Sequence, residues 1–200
     1  MIKNKILYWP GRGQDLHILK EFRDTLTKQG YILDNINIMY DAGELKPNSW
    51  EQVKNNTSDW WIGISLGASL LYYSIQFMKN NKPNRITLIN PFCSREILSK
   101  EKKFSLNNQW NFTPINKKVR INYLDMILSV NDEKIPLYHG IKILNNTVCK
   151  NKQIIFVDET HVISDKYAQS EMAEILNKEK LFNRGDENER HNYCHIYKHT

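Results

Sequence analysis

From Trp60 to Met78 the chain carries no charged residue at all. A run of that length is compatible with a membrane-spanning helix, but also with an apolar strand followed by a buried helix. Gly63, Gly67 and the serines at 65, 69 and 74 interrupt it, which favours the second reading: a strand over 60–64, a tight turn, and a helix over about 66–79 that is apolar on nearly every side. A helix of that kind has to be buried, so the chain needs a sheet to bury it against.

The rest of the sequence supplies one. Residues 4–9 read as a strand stopped by Pro10-Gly11-Arg12-Gly13. Leu19, Phe22 and Leu26 then recur at helical spacing from an Asp15 cap to a Gly30 stop. The isoleucines 32, 36 and 38 predict a second strand near 35–40, and a short helix is expected over 49–57. Further strands are expected over 85–89, 119–130 and 153–157, with helices over 136–145, behind Pro136, and from Ser164 onward. Apolar strands alternating with helices predict an α/β three-layer sandwich: a mainly parallel sheet of about six strands covered on both faces. One domain over 1–180 follows, with 181–200 as a mobile, charged tail. Residues 91–118 show no clear element; their Phe92, Phe104, Trp110 and Phe112 either line a lid or complete the core.

Gly63-Ile64-Ser65-Leu66-Gly67 matches the pattern G-x-S-x-G, and it falls at the strand-to-helix junction where such a turn lifts a serine above a sheet. A serine hydroxyl near neutrality needs a base, and the base needs a carboxylate to orient it. Of the six histidines, only His161 follows a late strand on a loop before a helix; His17 and His139 fall in helices and His191, His195 and His199 in the tail. Asp132, just past the fifth strand, is the preferred acid, with Glu133, Asp125 and Asp158 as alternatives. Oxyanion donors are expected at the Leu66 N–H and in the Gly11-Arg12-Gly13 loop, although that glycine pair also reads as a plain turn.

These features resemble the α/β-hydrolase family over roughly residues 4–177. Tyr8-Trp9-Pro10-Gly11-Arg12-Gly13-Gln14-Asp15 is similar to the oxyanion loop of small carboxylesterases and lysophospholipase-like members, with Pro10 where histidine is frequent. Asn131 to Pro136 is similar to the acid loop, and Glu159-Thr160-His161 stands where a Gly-His pair is common. The resemblance implies a minimal serine hydrolase with little or no cap, which cleaves a small acyl-bearing ester or thioester without cofactor or metal. Acyl transfer to another acceptor and a catalytically silent binding protein remain the competing expectations.

Composition excludes other classes more than it selects this one. The formal charge of +6 is spread over scattered lysines with no nucleic-acid-binding signature, so a nucleic-acid partner is not expected. Cys93, Cys149 and Cys194 cannot pair fully and form no C-x-x-C, and the first five residues lead into a strand without a signal-peptide core. A cytoplasmic protein without stable membrane insertion is expected. The tail spacing of His191, Cys194, His195 and His199 matches no zinc pattern.

Overall fold

The computed structural model describes residues 4–11, 18–36, 40–41, 44–45, 51, 53–78, 80–94, 97–98, 118–182 and 192–196. Its strands are β1 (Asn4–Trp9), β2 (Tyr31–Asn35), β3 (Tyr40–Asp41), β4 (Glu44–Leu45), β5 (Trp60–Ile64), β6 (Arg85–Ile89), β7 (Val119–Ser129), β8 (Thr147–Val157) and β9 (Asn192–Ile196). The helices are α1 (Lys20–Lys28), α2 (Leu66–Phe77), α3 (Tyr138–Asn146) and α4 (Lys166–Phe182). Seven strands form one sheet in the order β2-β1-β5-β6-β7-β8-β9, every pair parallel, while β3 and β4 make a separate antiparallel pair.

Alternation along the strands sorts side chains into two cores. Leu7, Trp9, Trp61, Ile86, Leu88, Leu124, Met126 and Leu128 pack toward α2 and α3. Ile6, Tyr8, Trp60, Ile62, Ile64, Ile89, Ile127, Ile155 and Val157 pack toward α1 and α4. The result is the three-layer α/β sandwich that the alternating elements predict. No helix among the described residues is long and apolar enough to cross a membrane; the uncharged run resolves into β5 and α2.

Several boundaries differ from the sequence reading. The second strand is Tyr31–Asn35, starting directly after Gly30, because its backbone pairs with β1 in a parallel ladder from Asn4↔Tyr31. The last strand before α4 begins at Thr147 rather than 153, since the long β7 gives it ten paired positions. Residues 192–196, within the stretch expected to be a mobile tail, pair with Lys152–Phe156 and add an edge strand, so the sheet has seven strands rather than about six. The cap of α4 is Asp165 and not Ser164: its Oδ1 accepts the Ala168 N–H at 2.7 Å, the N-cap to N3 geometry. The Asp15 cap lies outside the described residues, and α1 begins at Lys20 with its Glu21 and Phe22 N–H groups donating to Gln169 Oε1 of α4.

A charged cluster fastens the amino half of the sheet. Arg85 donates to both carboxylate oxygens of Asp125, at 2.7 and 3.0 Å, and Thr87 donates to the same carboxylate at 2.6 Å. Trp60 Nε1 donates to Thr87 Oγ1, and the Arg85 guanidinium lies 4.3 Å from the Trp60 ring centroid. Three adjacent strands are thereby tied together beneath the end where the candidate site sits.

Candidate functional site

In an open parallel sheet, loops leaving the carboxyl ends of neighbouring strands converge. Here those of β5, β6, β7 and β8 carry Ser65, Asn90, Asp132 and His161 respectively. The geometry follows from the turn after β5. Ser65 has φ 50° and ψ −117°, a conformation that side-chain-bearing residues rarely adopt. Its N–H donates to the Ile89 carbonyl at 2.7 Å, which locks the turn to β6.

Both glycines of the pentapeptide are required by contact. A Cβ at Gly63 would lie 2.6 Å from Ala68 Cα, and one at Gly67 would lie 2.4 Å from both the Trp9 and Pro10 carbonyl oxygens. The second contact also shows how closely the chain leaving β1 approaches the foot of α2. Gly11, buried, follows immediately; Arg12 and Gly13 lie outside the described residues. Leu66 is the first residue of α2, so its N–H has no intrahelical acceptor and stands at the positive end of the helix dipole.

Ser65 Oγ lies 2.9 Å from His161 Nε2, and His161 Nδ1 lies 2.7 Å from Asp132 Oδ2. A carboxylate can only accept, so the ring proton sits on Nδ1 and leaves Nε2 free to accept from the serine hydroxyl. The other oxygen of Asp132 accepts the Lys134 and Ile135 N–H groups at 2.8 and 2.7 Å, which fixes the carboxylate plane. The side chains of His161 and Asp132 are 7 % and 2 % exposed, so this chain of bonds is shielded from water.

The alternative acids are engaged elsewhere. Asp125 is bound to Arg85, and Asp158 accepts from Asn131 Nδ2 at 2.6 Å. Glu133 Oε2 accepts the backbone N–H of His161 at 3.2 Å. Backbone N–H groups of Glu133 itself and of His161 hold the Glu133 carboxyl below the usual carboxylate range.

Sequence reasoning missed other residues around the site. Asn90 bridges Ser129 and the His161 carbonyl. Ser69 Oγ donates to the Ser65 carbonyl at 3.1 Å and accepts the Phe92 N–H at 2.9 Å, which ties the chain after β6 to α2. His139 is wholly buried, and its Nδ1 accepts the Cys93 N–H at 3.3 Å with the Cys93 thiol 3.1 Å away. Only Asn90-Pro91 gave a sequence signal, as the end of a strand. Phe92 is buried in the layer of α2 and α3, whereas Phe104, Trp110 and Phe112 lie outside the described residues. His17, His191 and His199 also lie outside them. A cavity of about 440 Å³ lies at the opposite, amino end of the strands, bordered by Lys82, Arg120 and Lys150 and by none of Ser65, Asp132 or His161. The hydrogen-bond chain, rather than that cavity, therefore locates the candidate site.

No family model and no curated protein matches this chain. Solved structures do. An esterase domain from a Rhodothermus marinus protein superposes with a TM-score of 0.61 at 14 % identity, over 88 % of this chain and 84 % of that one. Mouse alpha/beta hydrolase domain-containing protein 10 gives 0.64 at 12 %, over 88 % and 90 %. A sugar hydrolase from Lactococcus lactis gives 0.63 at 14 %, over 90 % of each chain.

Proposed function

Since this chain has the α/β-hydrolase fold, we propose that it is a serine hydrolase that cleaves a small ester or thioester, with Ser65 as nucleophile, His161 as base and Asp132 as orienting acid. The observation that carries the reading is the unbroken relay from Ser65 Oγ through His161 to Asp132, at 2.9 and 2.7 Å, on a serine held at positive φ. Polar groups meet by chance on protein surfaces; a shielded relay on a strained serine requires support from several loops at once.

In the first half-reaction His161 Nε2 takes the Ser65 proton as Oγ bonds to the substrate carbonyl carbon. Asp132 stabilises the imidazolium that results. The developing oxyanion is met by the Leu66 N–H, with a second donor assigned to the loop of Gly11, Arg12 and Gly13. The tetrahedral intermediate collapses as His161 returns the proton to the leaving alcohol or thiol. Water then repeats the sequence on the acyl-enzyme, releasing the acid and restoring Ser65. The residues assigned to this chemistry call for no metal or cofactor.

The test is labelling with a fluorophosphonate probe, with the adduct mapped by mass spectrometry. An adduct on Ser65 that is lost in Ser65→Ala and His161→Ala is the expected outcome. A folded wild type that takes no label would point instead to a binding protein on a hydrolase scaffold.

A further inference from the structure

We propose that Asn90 is a positioning residue for His161, holding the base in line with Ser65 through its side-chain amide; this rests on the serine-hydrolase reading above. Asn90 follows directly on β6 and is 3 % exposed. Its Nδ2 donates to Ser129 Oγ at 2.9 Å and to the His161 carbonyl at 3.0 Å, while its Oδ1 accepts the Ser129 N–H at 2.8 Å. Both amide hydrogens and the amide oxygen are thus spent on the two segments that bear the acid and the base. Ser129 closes β7 three residues before Asp132, and His161 is the base itself.

The other side of His161 is held as well. Its N–H donates to Glu133 Oε2 at 3.2 Å, so the N–H and the C=O of one residue are gripped by side chains from two different loops. A loop residue whose backbone is fixed at both ends has little freedom to swing its ring. That matters because an error of about 1 Å in placing a reacting group can cost about a hundredfold in rate.

The competing explanation for Asn90 is conformational. Its φ is 46°, and asparagine is among the few residues that tolerate this region. Glycine tolerates it better, however, and would bury no amide. A buried amide is costly unless paired, and this one is paired at every position available here. No other short side chain brings two donors and one acceptor to the spot: aspartate lacks the donors, and serine has a single hydroxyl hydrogen.

Asn90→Gly separates the two explanations, because it keeps the backbone conformation and removes only the amide. The readouts are the rate constant for fluorophosphonate labelling of Ser65 per folded molecule, its pH profile, and Tm. The expected result is a loss of at least about tenfold in labelling rate. The pH profile should also differ from that of the wild type, because a ring held less firmly in line with Ser65 alters the labelling step itself, which a fall in Tm alone does not. Asn90→Asp, which keeps shape and tolerance of positive φ but loses both donors, should also slow labelling and serves if the glycine variant does not fold. An unchanged rate with an unchanged pH profile in either folded variant would overturn the proposal even if Tm falls. If the wild type labels at Ser65, that result leaves the serine-hydrolase reading standing; if the folded wild type does not label, both fall together.

Discussion

The Asp132 carboxylate divides its two oxygens between different tasks: Oδ2 meets His161 Nδ1 at 2.7 Å, and Oδ1 is fixed by the N–H groups of Lys134 and Ile135. The second task makes the first directional. In Asp132→Asn the amide oxygen can keep the two backbone bonds, which turns the NH₂ group toward the imidazole. His161 then carries its proton on Nε2 and cannot accept from Ser65. Labelling and hydrolysis should fall by about ten-thousandfold, the cost of the same change in a serine protease triad, with Tm little changed. Equal activity in the two proteins would remove Asp132 from the mechanism.

Gly67 of the elbow and Gly140 of α3 make a graded prediction. Gly67→Ala drives a Cβ to 2.4 Å from two backbone carbonyl oxygens, neither of which can move without displacing the chain after β1. A loss of about 1–3 kcal/mol or more is expected from overpacking, together with slower labelling of Ser65. At Gly140 the nearest atoms are the terminal methyls of Leu128, at 2.5 and 3.0 Å, which a change of rotamer can withdraw. Alanine also gains about 1 kcal/mol of helix propensity over glycine there. Chemical denaturation should place Gly140→Ala within about 1 kcal/mol of wild type and Gly67→Ala well below it.

Asp125, an alternative acid in the sequence, is bound by Arg85 and Thr87. Removing it in Asp125→Ala strands Arg85 in a site where that side chain is only 11 % exposed. A loss of about 3–5 kcal/mol is the expected cost of breaking a buried pair from one side. The double variant Arg85→Met/Asp125→Leu removes both charges and should recover much of that loss, because desolvation of the pair is avoided as well. Urea midpoints of the three proteins decide it: a double variant no better than the single one would show that the pair contributes more than charge balance.

How much of this was legible beforehand depended on whether a residue's role was local. The strand-turn-helix at 60–78 is written in consecutive residues, as are the Gly63 and Gly67 positions, so the elbow could be read directly. Asp132 and His161 were reachable through chain order and their positions after strands. The backbone contacts of Asn90, Glu133 and Gln169 were not, although Glu133 stood among the alternative acids, because each reaches a backbone group far along the chain, such as His161 from Asn90 and Phe22 from Gln169. Strand β9 escaped for a related reason: an edge strand is recognised by its partner's free backbone as much as by its own pattern, and Asn192–Ile196 has little pattern.

Glu133 gives the pH prediction. Backbone donors from its own residue and His161 hold its carboxyl below the ordinary value, with Asp132 opposing and Lys134 assisting. A depressed folded value means that the folded protein releases this proton more readily than the unfolded chain. The contribution is therefore complete above the unfolded carboxyl's value, about 4.3, and is lost as pH falls through the folded one. Protonation also weakens the acceptor for the His161 N–H, so His161 should loosen over the same acidic range. Glu133→Gln cannot titrate and should flatten that part of the stability profile while leaving the neutral-pH Tm nearly unchanged, since the group is at the surface. Thermal melts of both proteins from pH 3 to 7 measure it; parallel profiles would mean that the Glu133 bond contributes nothing to holding His161.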